Sequence, residues 1–177
     1  MGVLKPPLQA TCVMGVTGGI RPTARNLAHM AEQVPPVPHQ WGVIGITTEQ
    51  KIAPVLKVRP EIAALNMGSM NYAKYSSKRK DFVFKTVFEN SFDTIIAFVT
   101  AMNELGIRPE HECFDSGHVA NLDPLIDMGL LSEPLQVSCV MGVTGGIRPT
   151  ARNLAHMSEQ IPGGANGPNN WGVIGIS

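Results

Sequence analysis

Neither sign of charge is in surplus: Lys+Arg and Asp+Glu number 14 each in 177 residues. Nucleic acids and anionic membrane surfaces are bound through an excess of cations, so neither is an expected partner. The one basic run, Lys74 to Lys80 ending in Lys78-Arg79-Lys80, reads as a solvated loop. Only 16% of residues are charged, fewer than usual for a globular chain, while 44% are apolar. Cysteine is scarce as well. Cys12, Cys113 and Cys139 form no CxxC pair and no metal-finger spacing, and they read as buried, reduced thiols of a cytoplasmic protein. No apolar run approaches the roughly 20 residues of a membrane span. The opening Met1-Gly-Val-Leu-Lys-Pro-Pro7 has no secretory h-region, and Pro6 stands where a myristoylation signal would need Ser or Thr. A soluble, cytoplasmic protein is expected.

What the chain does have is a long internal repeat. The stretch from Cys12 to Met30 recurs letter for letter from Cys139 to Met157. Met1–Pro35 aligns with Met128–Pro162 with 28 of 35 positions identical, and Trp41–Ile46 matches Trp171–Ile176. The copies differ by three residues in the length of an intervening Pro/Gly-rich loop. Residues 1–47 are therefore expected to be a duplicated unit, a copy of 128–177, followed by a segment 48–177.

Each copy reads as βαβ. Residues 8–16 are apolar and β-branched, as in a strand buried on both faces; Gly18-Gly19 breaks the run, and Pro22-Thr23 starts a helix. Trp41–Ile46 reads as a second buried strand. Between the copies, Glu49–Leu56 suggests a short helix limited by Pro54, and Glu61–Asn66 a strand. The polar segment to Lys80 reads as irregular. Ser91 caps the strongest helix, with Phe92, Ile95, Ile96, Val99, Met102 and Leu105 on one face and Gly106 as terminator. Glu110–Asp115 reads as a strand and Val119–Met128 as a short helix closed by Gly129. Strands alternating with helices imply an α/β fold with about six parallel strands.

In such folds chemistry gathers at the carboxyl ends of the strands. That rule selects Thr17–Gly19, Asn66–Asn71, Glu112–His118 and Thr144–Gly146. Gly145-Gly146 ahead of a helix could present backbone N–H groups to a carboxylate or phosphate, or could simply permit a sharp turn. No Gly-Lys-Ser/Thr follows, so this is not a phosphate-binding P-loop. Glu112, a carboxylate on a buried parallel strand, is a candidate general base; the competing reading is a salt-bridged surface residue. His111 and His118 with Glu112 and Asp115 show no His-x-His or His-Glu-x-x-His, and no metal ligand is assigned.

Four ordered motifs carry a resemblance: Pro60–Asn71, Glu110–His118, Met141–Gly146 and Trp171–Ile176. From about Glu49 to Ser177 the chain resembles the β-keto acid cleavage enzymes, among them 3-keto-5-aminohexanoate cleavage enzyme. The resemblance implies a TIM (β/α)8-type barrel of which this chain holds strands four to seven, and a zinc-dependent acyl transfer. In that reaction a β-keto acid and acetyl-CoA give acetoacetate and a new acyl-CoA, an activity of lysine degradation. It further implies that Glu112 matches an active-site glutamate and that Asn66, Gly68 and Ser69 lie at the substrate end of the fourth strand. Gly145 and Gly146 would hold a carboxylate or carbonyl oxygen. Zn2+ is the expected cofactor and acetyl-CoA the co-substrate.

The departures from the pattern are equally specific. The family's zinc ligands, a His-x-His on the second strand and a Glu on the eighth beside a catalytic Asp, have no counterpart, and the duplicated unit stands where the first three strands belong. Such a barrel takes ~250 residues. The isolated chain is therefore expected to be inactive, and its open strand edges to favour a homo-oligomer. The alternatives are a non-catalytic module for acyl-CoA or carboxylates, an assembly module, and a recombined fragment without function.

Overall fold

The structure is a computed structural model that describes residues 10–14, 39–43 and 48–175. In chain order the elements are β1 (Ala10–Met14), β2 (His39–Val43), α1 (Thr48–Val58), β3 (Ile62–Asn66), β4 (Met70–Ser76), β5 (Asp81–Phe88), α2 (Phe92–Glu104), β6 (Arg108–Cys113), α3 (Ser116–Ala120), α4 (Leu122–Asp127), β7 (Gln136–Met141), α5 (Ala151–Gln160) and β8 (Asn170–Gly175). The strands β3, β6, β7 and β8 follow one another in a parallel sheet, so the α/β class read from the sequence holds. Two compact units divide the chain: Met1–Leu65 with Phe98–Glu110, and Asn66–Ala97 with His111–Ser177.

In the first unit β1 runs parallel to β2 from Ala10↔His39 to Met14↔Val43, and Gln40 and Trp41 of β2 register with Ile62 and Ala63 of β3. These are strands expected of the first repeat copy; the helix expected after Pro22 lies outside the described residues. Helix α1 is longer than the Glu49–Leu56 forecast and continues through Pro54. Proline removes one helical N–H, and burial of Val55 (1% exposed) offsets part of that cost. Arg59, at φ +50°, ends the helix, its N–H donating to Val55 O at 2.8 Å. After Phe98, Val99 and Met102, all buried, Gly106 at φ +68° turns the chain, and Ile107 N–H reaches Met102 O at 2.9 Å. Arg108 N–H then donates to Glu61 O at 2.9 Å, setting the start of β6 beside the start of β3.

The second unit contains a two-stranded antiparallel sheet where the sequence reading expected an irregular polar segment. β4 and β5 pair from Met70↔Phe88 to Ser76↔Asp81, with a register shift at Lys74/Tyr75. That irregularity and the lysines hide the two-residue period in the sequence. Cross-strand aromatic pairs hold the ribbon: Tyr72 with Phe84 at 5.2 Å between centroids, and Tyr75 with Phe82 at 5.5 Å. Ser91 caps α2 as expected, its Oγ accepting from Thr94 N–H at 3.4 Å. The apolar stripe needs correction. Ile95, Val99 and Met102 are buried and so is Phe98, whereas Phe92 in the first turn is 48% exposed.

The second repeat copy is described in full up to Gly175. β7 is buried on both faces from Val137 to Met141, as its unbroken apolar run predicts. Thr150 caps α5, its Oγ1 accepting from Asn153 N–H at 3.2 Å, so Pro149 precedes the cap rather than opening the helix. β8 departs from expectation: Val173 is 52% exposed, and a Cβ built on Gly172 or Gly175 would meet no atom within 4 Å. It is the last strand in the described order, and an apolar run alone does not reveal whether a further layer covers it.

Buried Asn169 fastens this copy. Its Oδ1 accepts from Leu135 N–H at 2.6 Å, and its Nδ2 lies within hydrogen-bond reach of Pro162 O (2.8 Å) and Glu133 Oε1 (2.9 Å).

Exposure separates two residues of α2 that the sequence pattern puts on one stripe. Met102→Ala is expected to lower unfolding stability by about 2–5 kcal/mol, and Phe92→Ala by roughly 0.5 kcal/mol or less. Urea unfolding of the two variants checks this.

Candidate active site

The loops at the carboxyl ends of β3, β6 and β7 belong to one unit and are tied together through the backbone. Met67 N–H donates to Glu112 O at 2.9 Å, joining the end of β3 to β6. Ile147 N–H donates to Phe114 O at 2.8 Å, joining the loop after β7 to the end of β6. The residues Asn66, Gly68, Ser69, Glu112, Gly145 and Gly146 therefore stand on three neighbouring strand ends.

His118 sits at their junction, 4% exposed. Its Nδ1 accepts from Phe114 N–H at 3.3 Å, and its Nε2 lies 3.3 Å from Ser69 O. A carbonyl only accepts, so Nε2 is the donor in one contact and Nδ1 the acceptor in the other. Asp115 Oδ1 accepts from His118 N–H at 3.0 Å and caps α3. The fit against β3's loop is tight: a Cβ at Gly68 would come within 2.6 Å of His118 Cδ2.

Three asparagines shape the β3–β4 loop. Asn66 Oδ1 accepts from Gly68 N–H at 3.3 Å, and Asn121 Nδ2 donates to Met67 O at 2.7 Å. Asn90 donates twice, its N–H to Ser69 Oγ at 2.8 Å and its Nδ2 to Asn66 O. Two of the residues singled out in the sequence, Asn66 and Ser69, thus use side-chain atoms to hold their own loop. His118, Asn90 and Asn121 were not singled out as site residues. Only His118 carried a signal, as the histidine closing the β6 motif.

Gly145 and Gly146 are required by close approach. Gly145 adopts φ +106°, and a Cβ there would fall on Asn71 O; a Cβ at Gly146 would lie 2.8 Å from Phe114 O. Gly146 N–H donates to Val143 O at 2.9 Å within its own turn.

Burial along β6 ranks its acids differently from the sequence argument. Glu110 is 3% exposed, whereas Glu112, near the end of the strand, is half-buried. Burial pushes the Cys113 thiol well up, with further contributions from Cys139, Asp115 and Glu112, and burial also raises Cys139. Both are free, buried thiols, as expected, and neither is a thiolate nucleophile near neutral pH. His111, 1% exposed with Nδ1 3.4 Å from Met67 Sδ, is lowered to about 4 by burial. Among the described residues no group of three or more His, Cys, Asp or Glu is arranged to hold a metal ion.

The depressed His111 has a definite acid signature. Its ordinary value is 6.5 and its folded value about 4, so the unfolded chain binds the extra proton between them. Its contribution to stability is complete above 6.5 and lost as pH falls toward 4, by roughly 3 kcal/mol in all. Urea unfolding across that range should show a one-proton slope in the wild type that His111→Gln removes. In Gly68→Ala, crowding of the His118 ring should cost about 1–3 kcal/mol, measurable in the same unfolding experiment.

A family model described as beta-keto acid cleavage enzyme matches residues 1–50 and, separately, 42–177. The 3,5-dioxohexanoate:acetyl-CoA acetone transferase of Paraburkholderia graminis is 33% identical over 143 residues, covering 73% of this chain and 46% of that protein. The 3-keto-5-aminohexanoate cleavage enzyme of Acetoanaerobium sticklandii is 32% identical over 125 residues, covering 71% of this chain and 42% of its own length. The chain thus spans less than half the length of these curated relatives. Among solved structures, the apo structure of ObcA superposes with a TM-score of 0.52 at 19% identity, over 71% of this chain and 26% of that one, a likeness of fold. Two separate family matches mark both copies of the repeat as pieces of the same pattern, and the chain belongs to the β-keto acid cleavage enzyme family.

Proposed function

We propose that this chain carries the substrate-binding strands of a β-keto acid cleavage site, taking a 3-keto acid such as 3-keto-5-aminohexanoate and acetyl-CoA. The reaction of a complete site is acyl transfer giving acetoacetate and an acyl-CoA. The observation that carries this reading is the convergence, on three adjacent strand ends, of the Asn66–Ser69 loop, Glu112 and the Gly145-Gly146 turn in a chain of this family. In this reading Glu112 is the catalytic base, its half-buried position keeping it reachable. Asn66, Gly68 and Ser69 line the substrate end of β3. With Gly146 N–H turned to Val143 O, the carboxylate or carbonyl oxygen falls to the exposed Gly145 side of the turn.

The architecture proposed is part of a TIM-type barrel, with residues 1–47 a duplicated unit and 48–177 the segment that holds strands four to seven of the family pattern. Strands at the ends of the order, with ladder groups to offer, favour a homo-oligomer in the cytoplasm.

Zinc, expected for the family, does not fit the residues present. No three candidate ligands converge among the described residues, the sequence has no His-x-His, and both ring nitrogens of His118 are engaged. No step is assigned to a metal here. A metal acting as Lewis acid supplies several kcal/mol, and each ~1.4 kcal/mol is tenfold in rate, so turnover by the chain alone should be negligible. The same misfit favours a second reading, a module that binds an acyl-CoA or carboxylate without catalysis.

The test is a zinc-supplemented assay of the full chain with 3-keto-5-aminohexanoate and acetyl-CoA, following acetoacetate. The expected result is saturable acyl-CoA binding without turnover. Turnover would overturn the metal argument, and turnover unchanged in Glu112→Gln would remove the glutamate from the site.

A further inference from the structure

We propose that the β4–β5 hairpin docks the nucleotide end of the acyl-CoA co-substrate, with Lys78, Arg79 and Lys80 on its phosphates and the Tyr75–Phe82 pair against its adenine. The inference rests on the reading above that the site takes an acyl-CoA, and it adds where the far end of that ligand is held.

Position is the first support. β4 leaves directly from the Asn66–Ser69 loop, Gly145 packs against Asn71 O, and Ala73 bridges to Thr144. The hairpin is therefore rooted among the loops that carry the candidate site. At ~3.3 Å per residue its turn stands roughly 25 Å along the chain from Ser69. An acyl-CoA is a ligand of two distant ends: a reacting thioester on one side of the pantetheine arm, and diphosphate, ribose 3′-phosphate and adenine on the other. A site at the strand ends holds the first and leaves the second to be bound by something that reaches outward.

Charge is the second. Met70–Phe88 holds Lys74, Lys78, Arg79, Lys80 and Lys85 against Asp81 alone, a surplus of four cations in a chain of zero net charge. Three of these cations are consecutive in the turn, and all three are exposed. The turn's backbone is set locally, by Arg79 N–H donating to Ser76 Oγ at 3.3 Å and by Lys80 at φ +52°. That conformation suits glycine or asparagine better than lysine. A lysine there gives up conformational ease and contributes charge. An arginine beside two lysines matches phosphate oxygens in both geometry and sign.

The aromatic pair is the third. Tyr75 is 51% and Phe82 39% exposed, edge to face beside the cationic turn. Exposed rings next to cations form the platform on which a base stacks while its phosphates are neutralised. A polynucleotide would need a longer cationic track than one turn of a neutral chain provides.

The experiment uses the full chain in three titrations, with CoA, dephospho-CoA and acetylpantetheine, at two salt concentrations. The proposal expects Lys78→Glu/Arg79→Glu/Lys80→Glu to weaken CoA at least tenfold, dephospho-CoA less, and acetylpantetheine not at all. Phe82→Ala should weaken CoA several-fold, and CoA binding by the wild type should fall with salt. Far-UV circular dichroism of the variants checks the fold. CoA binding unchanged in the triple variant would overturn the hairpin's role while leaving the acyl-CoA reading in place. Absence of binding by both CoA and acetylpantetheine would overturn that reading itself, and this proposal with it. A dimer that dissociates in the triple variant, with CoA affinity unmoved, would show that the arm's partner is a second copy of the chain.

Discussion

Close packing against glycine at the carboxyl ends of β3, β6 and β7 is the constraint on which the candidate site depends. Gly68 lies under the His118 ring, Gly145 against Asn71 O, and Gly146 against Phe114 O. At each contact a single added carbon would collide, and packed interiors have little room to yield. The glycines therefore set how near the three loops stand, and His118 sets their register by linking Phe114 N–H to Ser69 O. Polar side chains then complete the loops, chiefly Asn90 and Asn121.

This explains why the same residues are both structural and, in the proposed reading, functional. Asn66 Oδ1, Ser69 Oγ and Gly146 N–H are engaged within the chain and fix the loop and the turn, whereas Gly145 is held by close approach to Asn71 O. A rigid, close cluster at strand ends is what substrate positioning requires. It also makes His118 a poor metal ligand or base, since either role would break one of the two contacts that place it.

Much of the sheet was legible in the sequence because its signals are local. The strand read at Glu61–Asn66 and the second-copy counterpart of residues 8–16 correspond to β3 and β7, and Ser91 and Gly106 bracket α2 as their chemistry demands. The remainder depends on contacts between distant residues. Phe92 satisfies the helical period yet sits exposed in the first turn, while Phe98 is buried. The hairpin's alternation is interrupted at Lys74/Tyr75. That Gly-Gly marks a close approach to Asn71 and Phe114, about 74 and 32 positions away by simple count along the chain, cannot be read from two glycines. The family motifs pointed to the candidate site, and the local contacts of its residues came from the fold.

The Asn169 fastening bears on the repeat. Asn169 and one of its three partners, Glu133, stand at positions where the copies differ: the first copy has His39 and Pro6 there. Proline offers no carboxylate, so the first copy cannot reproduce the set. At about 1 kcal/mol for a typical hydrogen bond, the Asn169 set separates the second copy from a peptide that carries proline in place of the glutamate. The nineteen identical residues are thus flanked, in the second copy, by a polar fastening that the first copy's sequence does not carry.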